Sequence, residues 1–215
     1  MAAVAALSAG AQEPAPPGAK LVRTLFEIRN EGVIRQKWDL SCGAAAVATL
    51  LTYQLGRPVT ERQVATAMLR RTGPLLVRVR LGFSLLDLKN YAASQGFAAA
   101  AFGGMTLEDL DARAPGVVPI RAHGFRHFVV YRGRRDGRVL IADPAFGNRT
   151  LPEQAFERVW ANGIGFFVFD SADPHPPNRL GAPAELFLVP GLETRRAATA
   201  SGGPPITVSP LGSGP

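Results

Sequence analysis

Cysteine is almost absent from this sequence, because Cys42 is the single thiol among 215 residues. One cysteine cannot form a disulfide within the chain, and it cannot build a zinc site from several thiolates. Small secreted domains held by disulfide bridges are therefore excluded, as are zinc fingers built on cysteine. A lone cysteine is either a small buried hydrophobic residue or a nucleophile, and the residues around Cys42 must decide between them.

Long hydrophobic runs are missing as well. The sequence has no run of 18 or more apolar residues, so we expect no helix that spans a membrane. Apolar residues nevertheless make up 47% of the chain, which is enough for a sizeable core and too much for global disorder. The composition therefore predicts a globular domain.

Acidic residues are fewer than basic ones, and the formal net charge is +7. A basic surface can attract nucleic acid, anionic lipid or acidic polypeptide. The arginines are scattered along the chain, however, and no aromatic and basic motif or zinc finger accompanies them. We therefore expect no nucleic-acid partner.

Composition divides the chain into three segments. Residues 1–20 are rich in alanine and proline and resemble the second half of a secretory signal, although no positively charged start precedes them. A plain flexible start is the alternative. Residues 21–170 carry the globular patterning. Residues 171–215 are rich in proline and glycine and are predicted to be mostly disordered, with "AELFLVPG" as an apolar patch that docks on the domain or on a partner.

Helices are predicted in the first half of the domain. A strand is predicted at residues 24–28, and a buried helix from Ser41 or Cys42 to about Leu55. Two further helices begin with capping signals, one at Thr60 with Gln63 and one at Ser84 with Asp87. The arginine-bearing stretch at residues 70–80 is interpreted as a solvated loop between them, or as a border of a substrate cleft.

Strands dominate the second half. The stretches "FAAAAF", "GVVPIRA", "HFVVYRG", "RVLIADP" and "IGFFVFD" are predicted strands, with short helices at "TLEDLDARA" and from Pro152 onward. Helices before strands indicate the α+β class, a helical half against an antiparallel sheet.

The position of Cys42 favours a role as nucleophile over a role as a small buried hydrophobic residue. It begins a helix, where unpaired N–H groups and the helix dipole stabilise a thiolate. Gly43 then leaves room for the backbone of a substrate. Gln36 lies six residues upstream, and its amide can reach the oxyanion of a tetrahedral intermediate together with the N–H of Cys42.

Histidine is also scarce, and its positions narrow the choice of a base. His175 lies in the tail, whereas His127 begins an apolar strand and Asp143 ends the next one. If the two strands pair through "RRDGR", Asp143 accepts from one ring nitrogen and leaves the other facing the thiolate. The alternative for Asp143 is a turn-initiating residue before Pro144.

A metal site formed by His123, His127 and Asp143 is a further alternative. The spacing of the two histidines suits a helix, but their surroundings indicate a loop followed by a strand. We therefore predict no metal and no cofactor.

Taken together, the stretches "QKWDLSCGAAAVATLL", "HFVVYRGRRDGRVLIADPAFG", "LPEQAFERVW" and "IGFFVF" resemble the C39 peptidase family of papain-like cysteine proteases. The resemblance covers residues 34–170. It implies a papain-like fold in which the nucleophile helix packs on a small antiparallel sheet. It assigns Cys42 as nucleophile, His127 as general base and acid, Asp143 as the residue that orients the imidazole, and Gln36 as oxyanion donor.

One residue departs from the pattern of the family. The family often has aspartate immediately before the cysteine, and this chain has Ser41 there, with Asp39 two residues earlier. We expect the change to alter helix capping or substrate fit without abolishing chemistry.

The resemblance also implies a setting. Many family members are fused to the membrane and ATPase regions of a transporter, and they cut leader peptides after a double glycine. These 215 residues contain neither of those two regions. The chain is more similar to stand-alone C39-like proteins of Gram-negative secretion systems, including those that export functional amyloid. We therefore expect a periplasmic cysteine peptidase that cleaves a secreted polypeptide beside an outer-membrane or secretion-system partner. A non-cleaving binding or chaperone module is the alternative, and acyl transfer to an amine would use the same residues.

Overall fold

The structure is a computed structural model that describes residues 23–122, 124–173 and 176–188. The signal-like segment predicted at residues 1–20, His123, His175 and the chain beyond residue 188 lie outside the described residues. The predicted division at residues 20 and 170 stays a prediction.

Five helices form the first half of the domain. They are α1 (Leu25–Asn30), α2 (Cys42–Thr49), α3 (Glu61–Thr72), α4 (Pro74–Arg80) and α5 (Leu85–Ser94). The α2 helix continues through a π-helical turn, Leu50–Gln54, which confirms the long helix predicted from Cys42. Both predicted capping boxes are present, because the hydroxyls of Thr60 and Ser84 accept from the N–H groups three residues on.

The strand predicted at residues 24–28 is wrong, because this stretch begins α1. The N–H of Glu27 donates to Thr24 Oγ1 at 3.2 Å, and the N–H of Thr24 donates to Glu27 Oε2 at 2.7 Å. This capping box satisfies two backbone donors that a strand at the surface would leave to water. The local hydrogen bonds of the capping box therefore favour a helix at this position.

The loop predicted at residues 70–80 is also wrong, because all of these residues except Gly73 are helical. Gly73 has φ 86° and ends α3, and Pro74 then occupies the first turn of α4. Proline is favoured at that position, because its fixed φ suits a helix and its missing N–H is not needed there. Gly73 and Pro74 therefore separate two helices without an intervening loop.

Six strands form one sheet in the order β1-β6-β2-β3-β4-β5, and every strand pairs antiparallel with its neighbours. They are β1 (Ala98–Phe102), β2 (Gly116–Ala122), β3 (Phe125–Arg135), β4 (Arg138–Asp143), β5 (Gly147–Pro152) and β6 (Gly165–Phe169). Asp136 and Gly137 form the predicted tight turn between β3 and β4, both with positive φ. The sequence did not indicate β5, because "GNRTLP" lacks apolar alternation; it forms by pairing with β4 along its whole length.

Both faces of the sheet are buried. Val117 and Val130 belong to the core shared with α2, α3 and α5, whereas Val118 and Val129 belong to a second core under α6 (Leu107–Ala112) and α7 (Glu153–Val159). Strands buried on both faces read as continuous apolar runs, which explains the composition of β2 and β3. The architecture confirms the α+β class, and every residue of α2 is buried in it.

Part of the predicted tail packs on this domain. Ala184–Leu188 forms a short 3-10 helix, and Leu180 and Leu186 are buried. The side chain of Gln54, at the end of the π-helical turn, accepts from the N–H of Arg179 at 2.8 Å. The described part of "AELFLVPG" therefore docks on the domain.

A buried arginine ties both ends of the described chain to the sheet. Arg132 is 4% exposed, and it donates through Nε to Leu180 O at 2.6 Å and through Nη1 to Glu31 O at 3.0 Å. It also donates to Asn148 Oδ1 at 2.8 Å, and the amide nitrogen of Asn148 donates to Ile28 O and Glu31 O. Burial lowers the pKa of Arg132 to about 10, so the side chain stays charged at neutral pH.

No helix within residues 23–122, 124–173 and 176–188 combines the length and the hydrophobicity needed to cross a bilayer.

We predict that Arg132→Ala destabilises the domain by about 3 kcal/mol, because it leaves buried carbonyl oxygens without their donor. Guanidinium unfolding monitored by circular dichroism measures the loss. Arg135→Ala, at the exposed end of the same strand, is the matched control and should change the free energy of unfolding by less than about 0.5 kcal/mol. Equal effects of the two variants would contradict the anchoring role of Arg132.

Candidate active site

Cys42 is the first residue of α2 and is 8% exposed. Ser41 occupies the N-cap position but makes no capping hydrogen bond to the helix. The N–H groups of the first turn are therefore not satisfied by the N-cap side chain and remain close to the sulfur. An anion at this position is stabilised by those donors and by the helix dipole.

Gly43 serves packing, and the hypothesis that it leaves room for a substrate backbone is wrong. A Cβ at this position would lie 3.1 Å from Leu88 Cδ1 and 3.2 Å from Phe128 Cδ2. Leu88 on α5 is buried in the core, and Phe128 on β3 is partly buried and packs against that core. The glycine thus allows α2 to approach these elements closely, and the approach fixes the position of Cys42.

Strand pairing brings His127 and Asp143 together as predicted. Val130 on β3 opposes Ala142 on β4, so Asp143 lies on the same face as His127 and one diagonal step away. His127 Nε2 and Asp143 Oδ1 are 2.8 Å apart, and the carboxylate is fully buried. Asp143 also starts a turn, because the N–H of Ala145 donates to its Oδ1 at 2.8 Å. Both interpretations of Asp143 that the sequence left open therefore apply.

The side chain of Cys42 lies near enough to the imidazole of His127 to raise the pKa of the ring. The structure thus groups Cys42, His127 and Asp143 in one chain of contacts. Burial lowers the pKa of His127, but the hydrogen bonds with Asp143 and Cys42 and their negative charges raise it more, to about 9. The ring is therefore an imidazolium at neutral pH, next to the sulfur.

Arg149 on β5 completes the surroundings of the carboxylate, and sequence reasoning missed it. Its Nη2 lies 2.7 Å from Asp143 Oδ2, and the residue is 8% exposed. Burial raises the pKa of Asp143, but the bond and charge of His127 and the charge of Arg149 lower it below its usual value. Arg149 could not be predicted as part of the site because β5 was not predicted. The arginine lies behind Asp143 only when that strand pairs with β4.

Gln36 lies against the turn that follows Asp143. Its backbone N–H donates to Pro144 O at 2.9 Å, and Arg35 donates to the carbonyls of Pro144 and Ala145. The side-chain nitrogen of Gln36 donates to Trp38 O at 3.0 Å, and its Oε1 is buried without a hydrogen-bond partner. An amide has two N–H donors, so one remains for another acceptor.

Glu61 fixes the loop between Gln36 and Cys42, a role that no local sequence pattern indicated. Its side chain is 4% exposed, and Oε1 accepts from the N–H of Lys37 at 2.8 Å and from the hydroxyl of Ser41. The hydroxyl also lies 2.7 Å from Trp38 O and shares its single proton between the two acceptors. Ser41 therefore anchors the loop to α3, which is the structural consequence of its departure from the family pattern.

A cleft of about 790 Å³ opens beside Cys42. One wall is formed by residues 79–86, which connect α4 to α5, and the other by β2, β3 and residues 161–164. Phe83 and Leu88 are buried in the core, whereas Leu81 and Leu86 are exposed and line the cleft. The stretch "LGFSLLDL" therefore contributes both to the core and to the wall of the cleft. A second groove of about 550 Å³ lies between residues 37–41 and α4.

No group of three or more histidine, cysteine, aspartate or glutamate residues is placed to bind a metal within the described part of the chain. His123, one member of the alternative metal site, lies outside it.

Comparison with known sequences identifies relatives of the whole domain. The model of the peptidase C39 family matches residues 30–172. Two proteins named "Probable functional amyloid protease FapD" are similar to the chain. The one from Pseudomonas aeruginosa is 36% identical over 179 residues, which is 79% of this chain and 78% of that protein. The one from Pseudomonas fluorescens is 38% identical over 175 residues, which is 78% and 76% of the two chains.

Solved structures share the fold. A double glycine motif protease from an AMS/PCAT transporter, in complex with a leader peptide, has a TM-score of 0.54 and 28% identity, over 65% of this chain and 91% of that one. The peptidase domain of Streptococcus ComA, a bifunctional ABC transporter involved in quorum sensing, has a TM-score of 0.55 and 20% identity, over 65% and 98%. These neighbours confirm the predicted papain-like α+β fold of C39 peptidase domains.

We predict that the stability of the domain falls as the pH rises through the range in which His127 loses its proton. Its folded-state pKa, about 9, lies above the ordinary value of 6.5, so the stabilisation is complete below about pH 6.5 and is lost by about pH 9. The loss is at most about 3 kcal/mol. Urea unfolding at pH 6 to 10 measures it, and His127→Gln should remove this part of the pH dependence. A wild-type protein with the same pH profile as the variant would contradict the account.

We predict that Glu61→Ala loosens the loop at residues 37–41, because the N–H of Lys37 and the hydroxyl of Ser41 lose their acceptor. The expected cost is about 1–3 kcal/mol of stability, with faster amide hydrogen exchange in this loop. Exchange followed by mass spectrometry measures it. Glu157→Ala, on the exposed face of α7, is the control and should leave the exchange of the loop unchanged. If Glu61→Ala has the same exchange rates as the control, Glu61 does not anchor the loop.

Proposed function

Because the chain belongs to the peptidase C39 family, we propose that it is a cysteine peptidase that cleaves a secreted polypeptide. The observation that carries the proposal is the grouping of three side chains at an open cleft. His127 Nε2 lies 2.8 Å from Asp143 Oδ1, and Cys42, which raises the pKa of the imidazole, lines the cleft. Nucleophile, base and orienting carboxylate in this order are the elements of thiol-dependent acyl transfer.

In the proposed mechanism, the thiolate of Cys42 attacks the scissile carbonyl carbon and forms a tetrahedral intermediate. The backbone N–H of Cys42 and the free N–H of the Gln36 amide donate to its oxyanion. When the intermediate collapses to a thioester, the imidazolium of His127 gives its proton to the departing amine. Neutral His127 then takes a proton from water, whose oxygen attacks the thioester and releases Cys42 as a thiolate.

Asp143 and Arg149 support this sequence without touching the substrate. Asp143 fixes the ring of His127 and stabilises the imidazolium by its negative charge. The charge of Arg149, in turn, keeps the buried carboxylate ionised. Because the sheet positions both residues, the ring is held in one orientation before the substrate arrives.

The substrate and setting are further parts of the proposal. One relative, at 28% identity, is a double glycine motif protease solved with a leader peptide, which supports a polypeptide substrate cut at a double-glycine-like site. The names of the Pseudomonas relatives support a substrate that belongs to a functional-amyloid system. A secretion-system partner beside the peptidase is a further part of the proposal. The signal-like start of the sequence supports a periplasmic location.

The proposal predicts that Cys42 reacts with a peptide electrophile in a way that depends on His127. We expect His127→Ala to lower the labelling rate at pH 7 by at least about 100-fold, and Cys42→Ala to abolish labelling. Intact-mass spectrometry measures the rate. Arg62→Gln, on the exposed face of α3, is the control and should label as wild type does.

Circular dichroism confirms that each variant is folded. Slow labelling that is unchanged in His127→Ala would contradict a peptidase. It would instead favour the alternative, a binding or chaperone module of a secretion system that does not cleave.

A further inference from the structure

The cleft beside Cys42 carries charge of one sign. Three arginines line it, Arg80 on one wall and Arg121 and Arg126 on the other, and no aspartate or glutamate is among its lining residues. The remaining lining residues are apolar or uncharged. A peptide that enters the cleft therefore meets a positive potential, which the low dielectric of the walls strengthens.

Two of these arginines form an unfavourable pair in the free protein. Arg121 on β2 and Arg126 on β3 are direct cross-strand partners, so their side chains leave the same face of the sheet side by side. Like charges in this arrangement destabilise a hairpin. Both residues are exposed, and neither has a carboxylate partner within the described part of the chain.

Another arginine of the same hairpin has carboxylate partners. Arg134, further along β3, lies within 4.0 Å of carboxylate oxygens of Glu108, Asp111 and Glu153. Arg80 in the cleft has only a marginal partner, since its Nη1 is 4.0 Å from Asp87 Oδ2, an atom that already accepts from Ser84. The cleft thus concentrates positive charge that the described residues neutralise only at the margin, through Asp87.

We propose that this arginine pair binds an acidic side chain of the polypeptide substrate. A carboxylate between Arg121 and Arg126 would accept from both guanidinium groups and would remove their mutual repulsion. Pro119 and Phe128, the neighbouring cross-strand pair, lie on the same face and line the same cleft as Cys42. The acidic residue therefore lies within a few residues of the scissile bond, and apolar neighbours beside it pack on Phe128 and Leu86.

This inference rests on the proposed peptidase function and specifies its substrate. It predicts a preference for aspartate or glutamate at one position near the cut. Since the guanidinium groups are exposed, the preference should weaken as salt rises from about 50 to 300 mM.

The test is the digestion of a proteome-derived peptide library by the full chain, with cleavage sites read by mass spectrometry. We expect aspartate or glutamate to be enriched at least 5-fold at one position within about four residues of the cut. A peptide made from the best site should have a kcat/KM about 10-fold above that of its glutamine counterpart, and Arg121→Gln with Arg126→Gln should reduce the ratio to about one. Arg62→Gln, with the same change of charge on α3, should keep the ratio.

The possible failures are distinct. Cleavage by the wild type without acidic enrichment overturns the arginine site and leaves the peptidase proposal in place. Cleavage that keeps its acidic preference in the double variant also overturns the site. If the full chain cleaves no peptide, the result contradicts the peptidase proposal and removes the basis of the arginine site. Thermal unfolding of the double variant distinguishes a loss of substrate binding from a loss of stability. Because the like-charge pair is removed, the melting temperature should be unchanged or higher.

Discussion

The buried carboxylate of Asp143 is the group on which the site depends. Its Oδ1 forms a hydrogen bond with His127 Nε2, and its Oδ2 lies beside Arg149. The carboxylate is fully buried at the end of β4. A buried carboxylate without such partners would be costly and would take up a proton instead. The cation on each side keeps it ionised, and in that state it orients the imidazole and stabilises its charge. Side chains from three neighbouring strands, β3, β4 and β5, thus form one electrostatic unit around this carboxylate.

The second constraint is the position of Cys42 relative to that unit. Every residue of α2 is buried, and Gly43 brings the start of the helix against α5 and β3. The loop before the helix is fixed at both ends, by the bond of Gln36 to Pro144 and by Glu61. Nucleophile, base and candidate oxyanion donor are therefore positioned by backbone packing before a substrate binds. The exposed arginines of the cleft are, by contrast, left for a ligand to neutralise.

Much of this arrangement could be predicted from local signals. The helix at Cys42, the capping boxes at Thr60 and Ser84 and the Asp-Gly turn follow from short-range hydrogen bonds and φ preferences. The hairpin between β3 and β4 then places His127 beside Asp143. The residues that escaped prediction act over long sequence distances. Arg149 matters only once β5 has paired, and Glu61 reaches a loop some 20 residues away. Gly43 was misinterpreted because its neighbours come from other elements.

The most direct test of the account is the protonation state of His127 in the folded protein. Nitrogen-15 NMR of the imidazole reports it as the pH is raised. The account predicts that the ring remains an imidazolium at pH 8 and loses its proton near pH 9, because Asp143 and Cys42 hold the charge. A ring that titrates near pH 6.5, as an isolated histidine does, would show that neither group acts on it, and the proposed site would be wrong.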